Sequence, residues 1–142
     1  MIILDANILI YAVNRDAPLH RKARLWIESV MSSSETIGMP WGVLMAFLRL
    51  TTRQGIFNSP LPVKTAFDVI ESWVSQPSVV LVQPGPHHLT ILRDLLLESG
   101  VGGNLVSDAH LAALAIEHHA ELCSSDNDFG RFGNLKWSNP LA

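Results

Sequence analysis

The sequence predicts an α/β fold: three layers, α/β/α, about a central parallel sheet, as one domain over residues 1–142. Three observations carry this reading. Short apolar runs alternate with longer stretches of helical period, the pattern of a parallel sheet covered on both faces. Apolar residues make up 48% of the 142 and charged residues 16%, so the chain can bury roughly 70% of its unfolded surface and is not a disordered tail. No repeat, linker or low-complexity segment divides it.

The elements follow in order. Ile2–Leu4 reads as a short buried strand, followed by an apolar helical stretch over residues 8–13. Pro18 opens a helix running to about Met31, with Ala23, Trp26, Ile27 and Val30 on its apolar stripe. Residues 35–39 suit a second strand, and residues 41–52 a helix carrying Val43, Leu44, Phe47, Leu48 and Leu50. The stretch RQGIFNSPLP is the main loop. Residues 64–76 form an amphipathic helix through Phe67, Ile70, Trp73 and Val74. The β-branched run Val79–Val82 is a strand, residues 87–98 a helix stopped by SGVGG, residues 104–119 a helix and residues 121–124 a strand. LKWSNP adds a last edge strand.

Composition narrows the function classes. No apolar run approaches the ~20 residues of a membrane span, and the start lacks the basic and small-residue marks of a signal peptide. The single cysteine, Cys123, cannot form an internal disulfide, so a reducing cytoplasm is expected. A net charge of −3 neither demands nor excludes a nucleic-acid partner; Arg15, Arg21, Lys22 and Arg24 cluster, as do Arg49 and Arg53.

Ligands of parallel α/β sheets collect at the carboxyl ends of the strands. Asp5 ends the first strand. Asp126 and Asp128 follow the strand near Ser124, and Asp108 begins a helix whose Leu111, Ala112 and Ala115 mark the buried stripe. Each acid also has a local role open to it: Asp5 as a turn cap, Asp108 as complement to its helix dipole, Asp126 as an N-cap. Clustered carboxylates cannot all ionise without a cation, and oxygen-rich sites suit Mg²⁺ or Mn²⁺.

The segments LDANILIYA, DAHLAALA and SSDNDFGRF, in this order and spacing, resemble the PIN domain, specifically the VapC-type toxins of bacterial toxin–antitoxin pairs. WGVLMAFLRLTT and LKWSNPL resemble one branch of that group. The resemblance implies a Mg²⁺-dependent endoribonuclease, usually a homodimer, neutralised by a cognate antitoxin. It places the metal-binding acids on Asp5, Asp108 and Asp126, with Asp128 as a second candidate, and sets Asn7 near the first acid. Where the family usually carries a glutamate before the FLR segment, this chain has Ala46.

The expected chemistry is hydrolysis of RNA phosphodiesters, giving 5′-phosphate and 3′-hydroxyl ends as the resemblance implies. Asn7 and Ser124 are candidate supports of the acids, and Arg49, Arg53 and Arg131 candidate phosphate binders. His87–His88 and His118–His119 are adjacent pairs that do not face one another on a helix, so zinc has little support. His110 lies off the face of Asp108 and is expected to pack or cap. A phosphoryl-accepting domain would want an adjacent acidic pair, and a phosphatase a second acid at position 7. The non-enzyme alternative is a catalytically weakened PIN-like module that binds RNA or protein, which Ala46 favours. Apolar residues along 26–30 or 67–74 are expected to form a two-fold contact.

Overall fold

The computed structural model describes residues 1–100 and 102–142. Five strands, β1 (Ile2–Leu4), β2 (Ile37–Pro40), β3 (Val79–Val82), β4 (Glu121–Cys123) and β5 (Trp137–Ser138), form one sheet in the order β3-β2-β1-β4-β5. Every pairing is parallel. Among the described residues six α-helices join the first four strands: α1 (Ala6–Val13), α2 (His20–Met31), α3 (Trp41–Thr51), α4 (Val63–Val74), α5 (His88–Ser99) and α6 (Leu105–Glu117).

The first two crossovers step the chain from β1 to β2 to β3; the third returns it to β4, on the other side of β1. Because parallel crossovers are right-handed, this reversal puts the α5–α6 pair on the face opposite α1–α4. The contacts agree: α1 packs on α2 and α3, α3 on α4, and α5 on α6. The sheet therefore has a switch point between β1 and β4, where ligands of such folds bind.

Burial on both faces explains the apolar strands β1 and β2 and the apolar part of β4, whereas the edge strand β3 leaves Val80 and Leu81 exposed. Ile3, Leu4, Ile37, Met39, Leu122 and Cys123 are buried. Burial also pushes the Cys123 thiol up to about 11. Ala109, Ala112, Ala113 and Ala115 of α6 are fully buried, so the helix lies close to the sheet, against β4. Phe47 and Trp73 meet edge to face at 5.2 Å, a geometry that contributes about 0.5–1.5 kcal/mol beyond burial.

Several boundaries differ from expectation. α1 begins at Ala6, because Asp5 already accepts a hydrogen bond from the Ala6 N–H and caps it. α2 starts at His20, two residues beyond Pro18, after a turn closed by the His20 N–H on the Ala17 carbonyl. β2 is shifted to 37–40, since its partner in β3 fixes the register Ile37↔Val79 through Pro40↔Val82. The SGVGG stop lies partly outside the described residues, at Val101; Gly100 ends α5 with φ of +68°. A short 3₁₀ helix, Asn127–Arg131, was not expected.

Candidate active site

Asp5 leaves β1 beside the end of β4, and its backbone N–H donates to the Cys123 carbonyl at 3.0 Å. The next residue of β4's exit, Ser124, is fully buried and uses all its hydrogen-bonding capacity. Its hydroxyl donates to Asp5 Oδ2 at 2.7 Å. It accepts from Asn7 Nδ2 at 3.2 Å and from the Asp126 N–H at 3.0 Å. Asn7 Oδ1 in turn accepts from the Ser125 N–H at 3.4 Å. One hydroxyl thus ties the exits of β1 and β4 together and fixes the direction of the Asp5 carboxylate. Ser124 contacts Asp5 directly, and Asn7 reaches it through Ser124.

Asp108 enters from the first turn of α6. Burial raises its carboxyl above the usual range, with repulsion from Asp126, Asp5 and Asp128 adding to this and Arg131 opposing it. Burial likewise raises Asp5; the hydrogen bonds from Ser124 and Ala6 offset part of this, and Asp126 pushes it further up. The four acids therefore sense one another across the switch point. Asp126 is half-buried and caps the 3₁₀ helix, accepting from the Asp128 N–H at 2.9 Å. Asp128 is exposed and lies 4.0 Å from the Arg131 guanidinium. Capping and clustering are thus not alternatives here: Asp5 and Asp126 do both.

A cleft of about 470 Å³ opens beside Asp5 and Asp108. Ala46 and Arg49 line it from α3, Leu92 from α5, and His110 from α6. Position 46 thus faces the cleft, with a methyl group where the resemblance leads one to expect a carboxylate. Arg53 is exposed beyond the end of α3 and does not line it. His110 packs, as expected, edge to face on His88, but it also lines the cleft beside Asp108. The two side chains do leave α6 in different directions, but the cleft runs along the helix flank through Val106, His110 and Leu114. That i, i+4, i+8 row was the signal available in the sequence. His110 is also hydrogen-bonded to His88, at 2.9 Å.

A larger hollow, about 760 Å³, lies elsewhere, at the C-terminal end of α1 between Arg15, His20, Arg24, Phe57 and Leu61. Eight residues of α1 separate it from Asp5, about 12 Å of helix rise. Size does not make it the site; the interacting acids are at the smaller cleft.

The donor set suits a hard divalent cation: several carboxylates, no thiolate cluster, and mutual repulsion that a cation would relieve. Among the described residues no three His, Cys, Asp or Glu side chains stand together at metal-ligand spacing. Mg²⁺ commonly takes one or two carboxylates directly and keeps several waters, so these acids need not all touch one ion to hold it.

The PIN domain family model matches residues 2–135. The chain belongs to the PIN domain family. Ribonuclease VapC37 of Mycobacterium tuberculosis is 45% identical to this PIN domain over 100% of the chain and 99% of its own length. Ribonuclease VapC33 of the same species is 43% identical, covering 99% of each. Among solved structures, VapBC2 from Rickettsia felis bound to a promoter DNA fragment superposes with a TM-score of 0.73 at 21% identity, covering 98% of both chains. Mycobacterium tuberculosis VapC20, described as a sarcin–ricin loop cleaving toxin, does so at 0.68 and 18% identity, covering 94% of this chain and 95% of that one. At these identities the structural likeness speaks to the PIN fold, and the full-length sequence relatives carry the family assignment.

Proposed function

We propose that the protein is a metal-dependent endoribonuclease toxin that hydrolyses RNA phosphodiester bonds and is neutralised by a cognate antitoxin. The observation that carries this reading is the meeting of Asp5, Asp108 and Asp126, from three separate elements, within electrostatic reach at the switch point. Full-length relatives named as VapC ribonucleases support the activity, and VapBC complexes among the structural neighbours support the antitoxin partner.

Asp5, Asp108 and Asp126 are the acids that would hold Mg²⁺, or Mn²⁺ in its place. Such an ion supplies an activated water and neutralises charge on the phosphoryl group. The chain's own residues do the rest. Ser124 holds Asp5 in one orientation, and Asn7 holds Ser124. Asp126 outranks Asp128 as a ligand, because Asp128 is exposed and sits beside Arg131. Arg49, in the cleft, and Arg131, beside the acids, take flanking phosphates of the strand. A homodimer is proposed through α4, where Phe67 remains 45% and Val63 61% exposed although Ile70 and Trp73 are buried. Trp26 and Val30 on α2 pack instead against the protein's own core. The setting is the cytoplasm.

A second reading, a weakened PIN-like module that binds RNA or protein, draws on Ala46 in the cleft. Product chemistry separates the two. Purified RNA incubated with the protein and Mg²⁺ is expected to yield 5′-phosphate and 3′-hydroxyl ends, and none in EDTA. Cyclic phosphate ends, or cleavage that survives EDTA, would refute the metal-dependent mechanism; no cleavage at all would favour the binding module.

A further inference from the structure

Between α5 and α6 lies a pair of imidazoles that the metal chemistry does not use. His88 Nε2 is 2.9 Å from His110 Nδ1, and the rings meet edge to face with centroids 4.7 Å apart. His88 is only 8% exposed, and its Nδ1 is buried with no hydrogen-bond partner among the described residues. That orphan atom decides the proton positions. If Nδ1 of His88 carried the proton, a buried N–H would go unsatisfied, which is rarer in proteins than an unpaired acceptor. The proton therefore sits on Nε2 of His88, which donates to Nδ1 of His110. A neutral imidazole with Nδ1 as acceptor carries its own proton on Nε2. His110 Nε2, unlike Nδ1 of His88, is not buried, and it has no partner among the described residues. His110 lines the same cleft as Asp5, Asp108 and Arg49.

We infer that His110 is a substrate-positioning residue: its Nε2–H donates to a non-bridging phosphate oxygen of the RNA strand lying in the cleft, and His88 fixes the ring and its tautomer. The identity of the strand rests on the ribonuclease reading above. A phosphate is the fitting acceptor because the cleft already holds Arg49, its one cationic side chain among the described residues, and phosphate oxygens recur along any strand whatever its sequence. An uncharged donor adds orientation without drawing the strand's charge away from the acids.

Binding of a fluorescein-labelled single-stranded RNA oligonucleotide, followed by anisotropy at pH 8 in EDTA across a salt series, tests this apart from cleavage. His110→Ala and His110→Phe, the second keeping the ring's bulk, should each weaken binding about tenfold, the loss of one hydrogen bond to a charged group. The loss should be equal at low and high salt, because no charge is removed. Arg49→Ala should instead flatten the salt slope by about 0.7, as for one phosphate contact on a single strand. His110→Gln, whose amide N–H reaches the position of Nε2, should return binding to within about twofold of wild type. Wild-type affinity in His110→Phe, a changed salt slope, a Gln variant as weak as Phe, or no RNA binding by any protein would each overturn the inference. The ribonuclease reading is judged separately by wild-type cleavage in Mg²⁺, so its failure is visible even if the binding pattern holds.

Discussion

Asp5 does two jobs with one carboxylate: one oxygen caps α1, and the other takes the Ser124 hydroxyl. Burial and Asp126 nevertheless raise its pKa, and Asp108 is raised by burial and by three neighbouring acids. Raised carboxyls bind more protons in the folded state than unfolded, so between the ordinary value of 3.8 and the raised one the folded state loses stability as pH rises. The full penalty is present at neutral pH and disappears on acidification below the ordinary value. Asp108→Asn should therefore leave the metal-free protein at pH 7.5 as stable as wild type or more so, with the difference shrinking towards pH 4, as thermal unfolding at the two pH values will show. A clear loss of stability at pH 7.5 would mark Asp108 as a structural cap. Ser124→Ala removes the group that aims Asp5 and should weaken Mn²⁺ binding about 10–100-fold, measured by calorimetry. Ala46→Glu adds a carboxylate to the cleft. It should lower the Mg²⁺ concentration needed for half-maximal cleavage at a small cost to metal-free stability; an unchanged titration curve would mean that position 46 does not reach the ion.

Within the elements, the parallel sheet and its helices were legible because β1, β2 and β3 are apolar along their whole length and the helices keep their period. Ile2–Leu4 and Val79–Val82 were found to the residue. Asp5 and Asp126 were open as caps in the sequence, but the elements they start were not legible: α1 begins two residues early, and the 3₁₀ helix has a sequence with no apolar period. Strand-end placement singled out Asp5 and Asp126 in advance, and a place at the start of a helix singled out Asp108. The His88–His110 pair was not, because it depends on how α5 and α6 pack across 22 residues of sequence. Close packing also explains Gly38 in β2. A methyl group there would lie 2.7 Å from Val82 Cγ2 and 3.0 Å from Ile3 Cγ1, both on central apolar side chains. Gly38→Ala should therefore destabilise the protein by about 1–3 kcal/mol, read as a lower urea midpoint with an unchanged slope. A midpoint equal to wild type would show that the strands have slack the packing does not suggest. At the other end of α6, Glu117 accepts from the Gly85 and His87 N–H groups at 2.7 and 2.8 Å, tying the loop after β3 to the helix that carries Asp108.

For the molecule as a whole, the reversal of winding between β1 and β4 brings acids distant in sequence to one edge of the sheet, while α3 and α6 wall the cleft on either side. No helix among the described residues is long and apolar enough to cross a membrane. The exposed Phe67 and Val63 on α4 predict a dimer mass in light scattering at micromolar concentration, reduced to a monomer by Phe67→Asp; a monomeric wild type would contradict the proposed contact. The central claim is that the acids at the switch point act as one metal-dependent centre for RNA hydrolysis. Its most direct test is cleavage of one RNA by wild type, Asp5→Asn and Asp108→Asn, each titrated with Mg²⁺ and with Mn²⁺. Wild type is expected to cleave with saturable dependence on either ion, and both variants to lose about 100-fold or more of that rate while still melting cooperatively. Cleavage by folded Asp5→Asn or Asp108→Asn at the wild-type rate would contradict it.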